Sequence, residues 1–178
     1  MTAKQASQKT KSSPRPRLWP AVVILGLQIV ALVTSVTPSV NMLERFQAMM
    51  FGPMSCILLF LLWLVFASRI LWRERLAILG GLVILAAVIA LLMDESMAVA
   101  MFIYGIPLAM AAITLALYIS RDWSMKPRVT LCFVLLAGVW SVMLLGRLDG
   151  FTGNYLPEFA WRWSATEEQK LQPLGAIG

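Results

Sequence analysis

The sequence predicts an all-α membrane protein: a five-helix up-and-down transmembrane bundle followed by a short irregular carboxyl tail. Three observations predict it. The 178 residues are 60% hydrophobic and only 13% charged. Five apolar stretches each have about the length that crosses roughly 30 Å of hydrocarbon at about 1.5 Å per residue. Lysine and arginine crowd every other connection between those stretches. With a mean hydropathy of +0.78, the chain carries more apolar side chain than a soluble core of its size can bury, so lipid is its main solvent.

The chain divides into three regions. Residues 1–18 hold Lys4, Lys9, Lys11, Arg15 and Arg17 among Ser, Thr, Gln and Pro. That composition cannot bury enough apolar surface to order itself, and it predicts a disordered basic cytoplasmic arm. Residues 19–145 form the bundle, with spans predicted at Trp19 to Val36, Met49 to Ser68, Leu76 to Met93, Ala98 to Ile119 and Val129 to Leu145. None of these stretches contains Lys, Arg, Asp or Glu. Residues 146–178 are a tail rich in Gly, Pro and aromatic side chains.

Cations set the orientation, because they accumulate on the cytoplasmic side. Eleven lie before span 1, between spans 2 and 3 (Arg69, Arg73, Arg75) and between spans 4 and 5 (Arg121, Lys126, Arg128). The other side has four: Arg45, Arg147, Arg162 and Lys170. The amino terminus is therefore expected in the cytoplasm of a bacterial inner membrane and the tail outside. A cleaved signal peptide over residues 1–36 is the weaker reading, since the segment from Val33 to Val40 lacks a small-residue cleavage site. Trp19, Trp72 and Trp123 fall at cytoplasmic boundaries, where an indole sits at headgroup level, whereas Trp63 and Trp140 lie deeper and are expected between helices. Short loops predict that consecutive helices are antiparallel neighbours.

Several classes of function are excluded. The net charge of +6 lies in short clusters rather than in one field, so nucleic acid is not an expected partner. Two cysteines and no histidine remove most zinc and proton-shuttle chemistry. The two thiols, Cys56 and Cys132, are expected at depths differing by ~15 Å, too far for a disulfide. The eleven methionines show no repeated ligand spacing. No catalytic, cofactor-binding or metal-ligating residue is assigned, and the chain is expected to be no enzyme.

Within the spans, Gln28 is the one amide and is expected to bond across to a neighbouring helix. Gly105 and Pro107 interrupt span 4, and a simple proline kink is expected there, because no matching break is visible in a second span. Gly80 and Gly81 read as a close helix contact. In the tail, Asp149-Gly150 and Gly153-Asn154 mark turns, and Pro157 prevents a continuing helix. Aromatic residues alternate with others from Phe159 to Trp163, which fits either a strand or an interfacial aromatic belt.

Arg147, Asp149-Gly150, Gly153, Pro157-Glu158-Phe159 and Trp161-Arg162-Trp163, followed by Ser164 and Thr166-Glu167-Glu168, together resemble a segment of bacterial membrane-anchored proteins with PQQ-binding-like β-propeller repeats. The resemblance covers about twenty residues and the general anchor layout. It implies a multi-helix anchor, this stretch as lead-in, and a propeller beyond it on the outer side. A propeller needs about four or more blades of about 40 residues, and only fifteen residues follow Trp163. Any PQQ site would thus lie in a domain downstream; the chain reads as a fragment, a truncated frame or a stand-alone anchor. The expected function is a non-enzymatic inner-membrane anchor whose partners are the bilayer and an extracytoplasmic propeller domain or a membrane-protein partner. The alternative is a small transporter or quinone-interacting subunit built on the kinked span 4.

Overall fold

A computed structural model of the chain describes residues 15–152 and 157–165. It contains five helices long and apolar enough to cross a membrane: α1 (Trp19–Val36), α2 (Met42–Ala67), α3 (Trp72–Leu92), α4 (Met97–Ile119) and α5 (Met125–Leu145). The chain is a multi-pass membrane protein. After α5 come two antiparallel strands, β1 (Gly146–Phe151) and β2 (Pro157–Trp161). The tail, expected to be irregular with a strand as one option, is ordered here as a hairpin. The starts of α1, α3 and α5 share the basic end of the bundle, and the strands sit at the other, hairpin end.

α1 keeps the bounds of its apolar stretch, and the other four helices begin before theirs. α2 begins at Met42, seven residues before the expected Met49, while α3 and α5 begin at Trp72 and Met125 rather than Leu76 and Val129. The reason is that helix propagation does not stop where polarity begins; the first turn tolerates Glu44, Glu74 and Lys126 as readily as leucine. The helices therefore include charged residues that the apolar stretches lack. The longer α2 also brings Cys56 inward from its end, into the same buried cluster as Cys132, and both thiols remain free.

The order of helices differs from simple succession. α1 packs along α2, while α4 touches α1, α2 and α5. α3 packs against α5 rather than chiefly against its sequence neighbours. Burial follows this order, with 56% of the apolar stretch of α4 buried inside the bundle against 11% for α3. α4 is the axis of the bundle, and α3 is a peripheral helix largely facing lipid.

Small residues set the close approaches. A Cβ at Gly52 would stand 2.6 Å from the Ala31 Cβ, so glycine lets α2 lie directly on α1. The Phe133 ring of α5 occupies the space beside Gly81 of α3, whereas nothing lies within 4 Å of a Cβ at Gly80. Of the glycine pair, only Gly81 makes the expected contact.

Two helices widen locally into π turns, Trp63–Ala67 in α2 and Met101–Gly105 in α4. In α4 the Ile106 amide donates to the Met101 carbonyl, five residues back. Pro107 lacks an N–H, and its ring crowds the carbonyl of the preceding turn, so the wider turn takes the place of the expected plain kink. α2 also carries a proline: Pro53 lies inside the continuous helix and is fully buried, directly after Gly52.

Buried charge closes the basic end. Arg128 of α5 and Glu74 of α3 form an ion pair at 3.0 Å with neither side chain exposed. The Arg128 guanidinium also donates to the carbonyls of Ser120, Arg121 and Trp123, where α4 ends and turns. Removing one partner strands the other charge, so Glu74→Leu is expected to cost about 3–5 kcal/mol of stability. The double variant Arg128→Met with Glu74→Leu should recover part of that loss but stay below wild type, because three carbonyls lose their donor. Denaturant titration in micelles measures the difference; equal stability of Glu74→Leu and wild type would contradict it.

Candidate functional site

The sequence-selected residues gather in two places. At the hairpin end, β1 follows α5 without an intervening residue, and its register pairs Gly146 with Trp161, Arg147 with Ala160 and Leu148 with Phe159. A bulge at Asp149 then shifts the pairing to Gly150 with Glu158 and Phe151 with Pro157. Gly150 and Pro157 thus lie in paired strands. Gly153 lies outside the described residues.

Four contacts dock this hairpin to the bundle. The Leu148 amide donates to the Ser96 hydroxyl in the α3–α4 connection at 3.1 Å. The Arg162 guanidinium donates to the Leu92 carbonyl at the end of α3 (3.1 Å), while its own amide donates to the Leu145 carbonyl at the end of α5 (3.0 Å). Phe159 meets Tyr104 of α4 edge to face, ring centroids 6.1 Å apart. Trp161 and Trp163 stack at 5.2 Å and remain exposed, as an interfacial belt requires. Of the two readings posed in the sequence, the strand is formed.

Asp94 organises the connection beneath the hairpin. It accepts from the Ser96 hydroxyl at 2.7 Å and from the Ser96 amide at 3.0 Å. Those two bonds hold its carboxyl below the ordinary carboxylate range, against the opposing effect of burial, and Arg162 and Arg147 add attraction. Arg147 itself pairs with Asp149 at 2.5 Å.

The second place is the middle of the membrane. Gln28 is 2% exposed, and among the described residues neither its amide nitrogen nor its oxygen has a hydrogen-bond partner. The expected bond to another helix is absent, since both polar atoms are enclosed among side chains that offer no partner, and the cavity that Gln28 borders is apolar. That cavity, about 340 Å³, lies between α1 and α4 and is lined by Gln28, Leu25, Leu32, Tyr104, Pro107 and Leu108 among others. Gly105 is not among them; its carbonyl accepts from the buried Trp140 indole of α5 at 2.8 Å. Tyr104 and Leu108 also border a second apolar cavity of about 480 Å³ beneath Phe159 and Trp161.

Sequence reasoning missed Tyr104, Ser96, Asp94 and the Arg128–Glu74 pair. Glu74 and Arg128 were legible only as loop charges, since their meeting joins residues 54 apart in the chain. For Ser96 the Asp94-Glu95-Ser96 turn was the available signal.

These features define a five-span helical membrane protein with an ordered hairpin fixed to one end of its bundle. Compared with known protein families, with curated proteins and with solved structures, the chain matches none.

Because the Asp94 carboxyl sits below its ordinary value, its charge stabilises the fold above a pH of about 4, and that contribution is lost as pH falls through the depressed value. Asp94→Asn should therefore melt below wild type at neutral pH, and the gap should shrink as pH falls below about 4. Thermal unfolding across that pH range checks this; a constant gap would show that charge is not involved.

Proposed function

We propose that the chain is a non-enzymatic anchor of the bacterial inner membrane that holds an extracytoplasmic segment at a fixed height and orientation over the bilayer. The observation carrying this reading is the lack of slack between membrane and hairpin. β1 starts at Gly146, directly after Leu145 closes α5, and the hairpin is tied back to α3, the α3–α4 connection and α4. A flexible tether would instead separate span and strand with a polar linker.

Orientation supports the same reading. The basic end gathers Arg15, Arg17, Arg69, Arg73, Arg75, Arg121, Lys126 and Arg128, and by the preference of cations for the cytoplasmic side this end faces inward. Three cations there lie against aromatic rings: Arg17 over Trp19, Arg75 over Trp72 and Arg121 over Tyr118, each within 6 Å of the ring centroid. The hairpin end then faces outward. On the resemblance of Pro157 to Trp163, the cargo is a PQQ-like β-propeller domain or partner, and any cofactor belongs to it.

A phosphatase active only outside the cytoplasm, fused after Trp163, should be active in cells. The same reporter placed in the α2–α3 connection, after Arg69, should be silent. Activity only at the second site would reverse the orientation and end the anchor reading.

A further inference from the structure

We propose that the apolar face of the hairpin is a lipid-binding surface: it lies in the headgroup layer at its end of the bundle and roofs a groove that takes an acyl chain of a phospholipid from that leaflet. This goes beyond the anchor reading and holds for either orientation of the chain.

The first ground is the division of the hairpin into two faces. Leu148 and Phe159 are partners across the strands, so their side chains share a face, and Trp161, two residues on, falls on it too. Leu148 packs on the buried cluster that includes Met97, Trp140 and Met143, and Phe159 meets Tyr104. That face therefore looks toward the membrane-spanning helices. Arg147 and Glu158, each next in sequence to a member of it, lie on the opposite face, where Arg147 pairs with Asp149. The hairpin is amphipathic, aromatic toward the bundle and charged away from it.

The second ground is height. α5 has 21 residues, which at about 1.5 Å each match roughly 30 Å of hydrocarbon. β1 begins with the next residue, Gly146, so the strands start where hydrocarbon gives way to headgroups. Indole rings prefer that layer, because it accommodates both an apolar body and a polar N–H. The buried indoles of Trp63 and Trp140 donate to the carbonyls of Arg17 and Gly105. Among the described residues the exposed indoles of Trp161 and Trp163 have no such acceptor, and the ester carbonyls of lipid supply one.

The third ground is the groove. It has a volume of about 480 Å³ under Phe159 and Trp161, between α4 and α5, and no charged residue lines it. Leu108 of α4 and Val142 of α5 line it and are exposed on the surface that these spanning helices turn to lipid, so it opens sideways into the bilayer. The lipid-covered surface of the bundle thus continues beneath the hairpin. A charged headgroup finds no counter-charge there, whereas an acyl chain needs none and gains from leaving water and headgroups.

The test uses the full chain in nanodiscs of phosphatidylcholine brominated either near the headgroup or near the chain end, with tryptophan emission as the readout. The emission lost when Trp161→Phe and Trp163→Phe are combined is that of the stacked pair. Near-headgroup bromine should quench that emission about twofold more than chain-end bromine, as placement at the headgroup layer requires, and iodide in the buffer should leave it nearly unchanged. Val142→Phe fills the groove from its lipid-exposed side and keeps both indoles, and in that background the near-headgroup quenching of the pair should fall about twofold, since the chain is displaced. Quenching by iodide without quenching by bromine would overturn the proposal and leave the aromatic face to a protein partner. Stronger quenching by chain-end bromine would overturn the placement at headgroup height, and near-headgroup quenching unchanged by Val142→Phe would overturn the acyl-chain site.

Discussion

A helix leaves its last carbonyls without intrahelical partners, and where packing buries them away from water a side chain must take them. Much of this structure follows from how the chain meets that demand. Arginines from later elements reach back to the ends of earlier helices. Arg45 of α2 donates to Ser35 at the end of α1, and Arg75 of α3 donates to Val65 and Ile70 around the end of α2. Arg128 of α5 takes Ser120, Arg121 and Trp123 at the end of α4. Arg162, beyond β2, takes Leu92 at the end of α3. The guanidinium suits the task because it offers five donors in a fixed fork and stays charged at any accessible pH.

This gives the basic residues two roles. Their distribution orients the chain, and their individual side chains close helix ends. Arg45 belongs to the sparse side of the cation count, yet it is 8% exposed and fixed to Ser35 rather than lying in a solvated loop. The hairpin follows the same logic: without Arg162 and the Leu148 amide, the Leu92 carbonyl and the Ser96 hydroxyl would face the interface with fewer partners. Docking the hairpin is thus part of completing the bundle.

The spans were legible because apolar length is a local property that needs no partner. Their ends were less so, since the charged first turns of α3 and α5 read as loop until Glu74 and Arg128 are brought together across 54 residues. Pro107 announced an irregularity but not its form; a π turn and a kink begin from the same missing N–H. Gln28 stood out in the sequence as the one amide in the predicted spans, and the sequence could not show that no described polar group meets it, because that depends on residues of other helices. The order in which α3 bypasses α4 to pack on α5 likewise rests on contacts such as Phe133 against Gly81, which no local pattern encodes.

A fixed exit requires the hairpin and the bundle to move as one body. Spin labels placed at Glu95, in the α3–α4 connection, and at Ala165, just past the hairpin, would report the distance between them directly, with the buried cysteines replaced by alanine. A single narrow distance distribution in a bilayer is the predicted result. A broad distribution, unchanged when Arg162 is replaced by alanine, would contradict a fixed exit and leave the hairpin as a loose appendage.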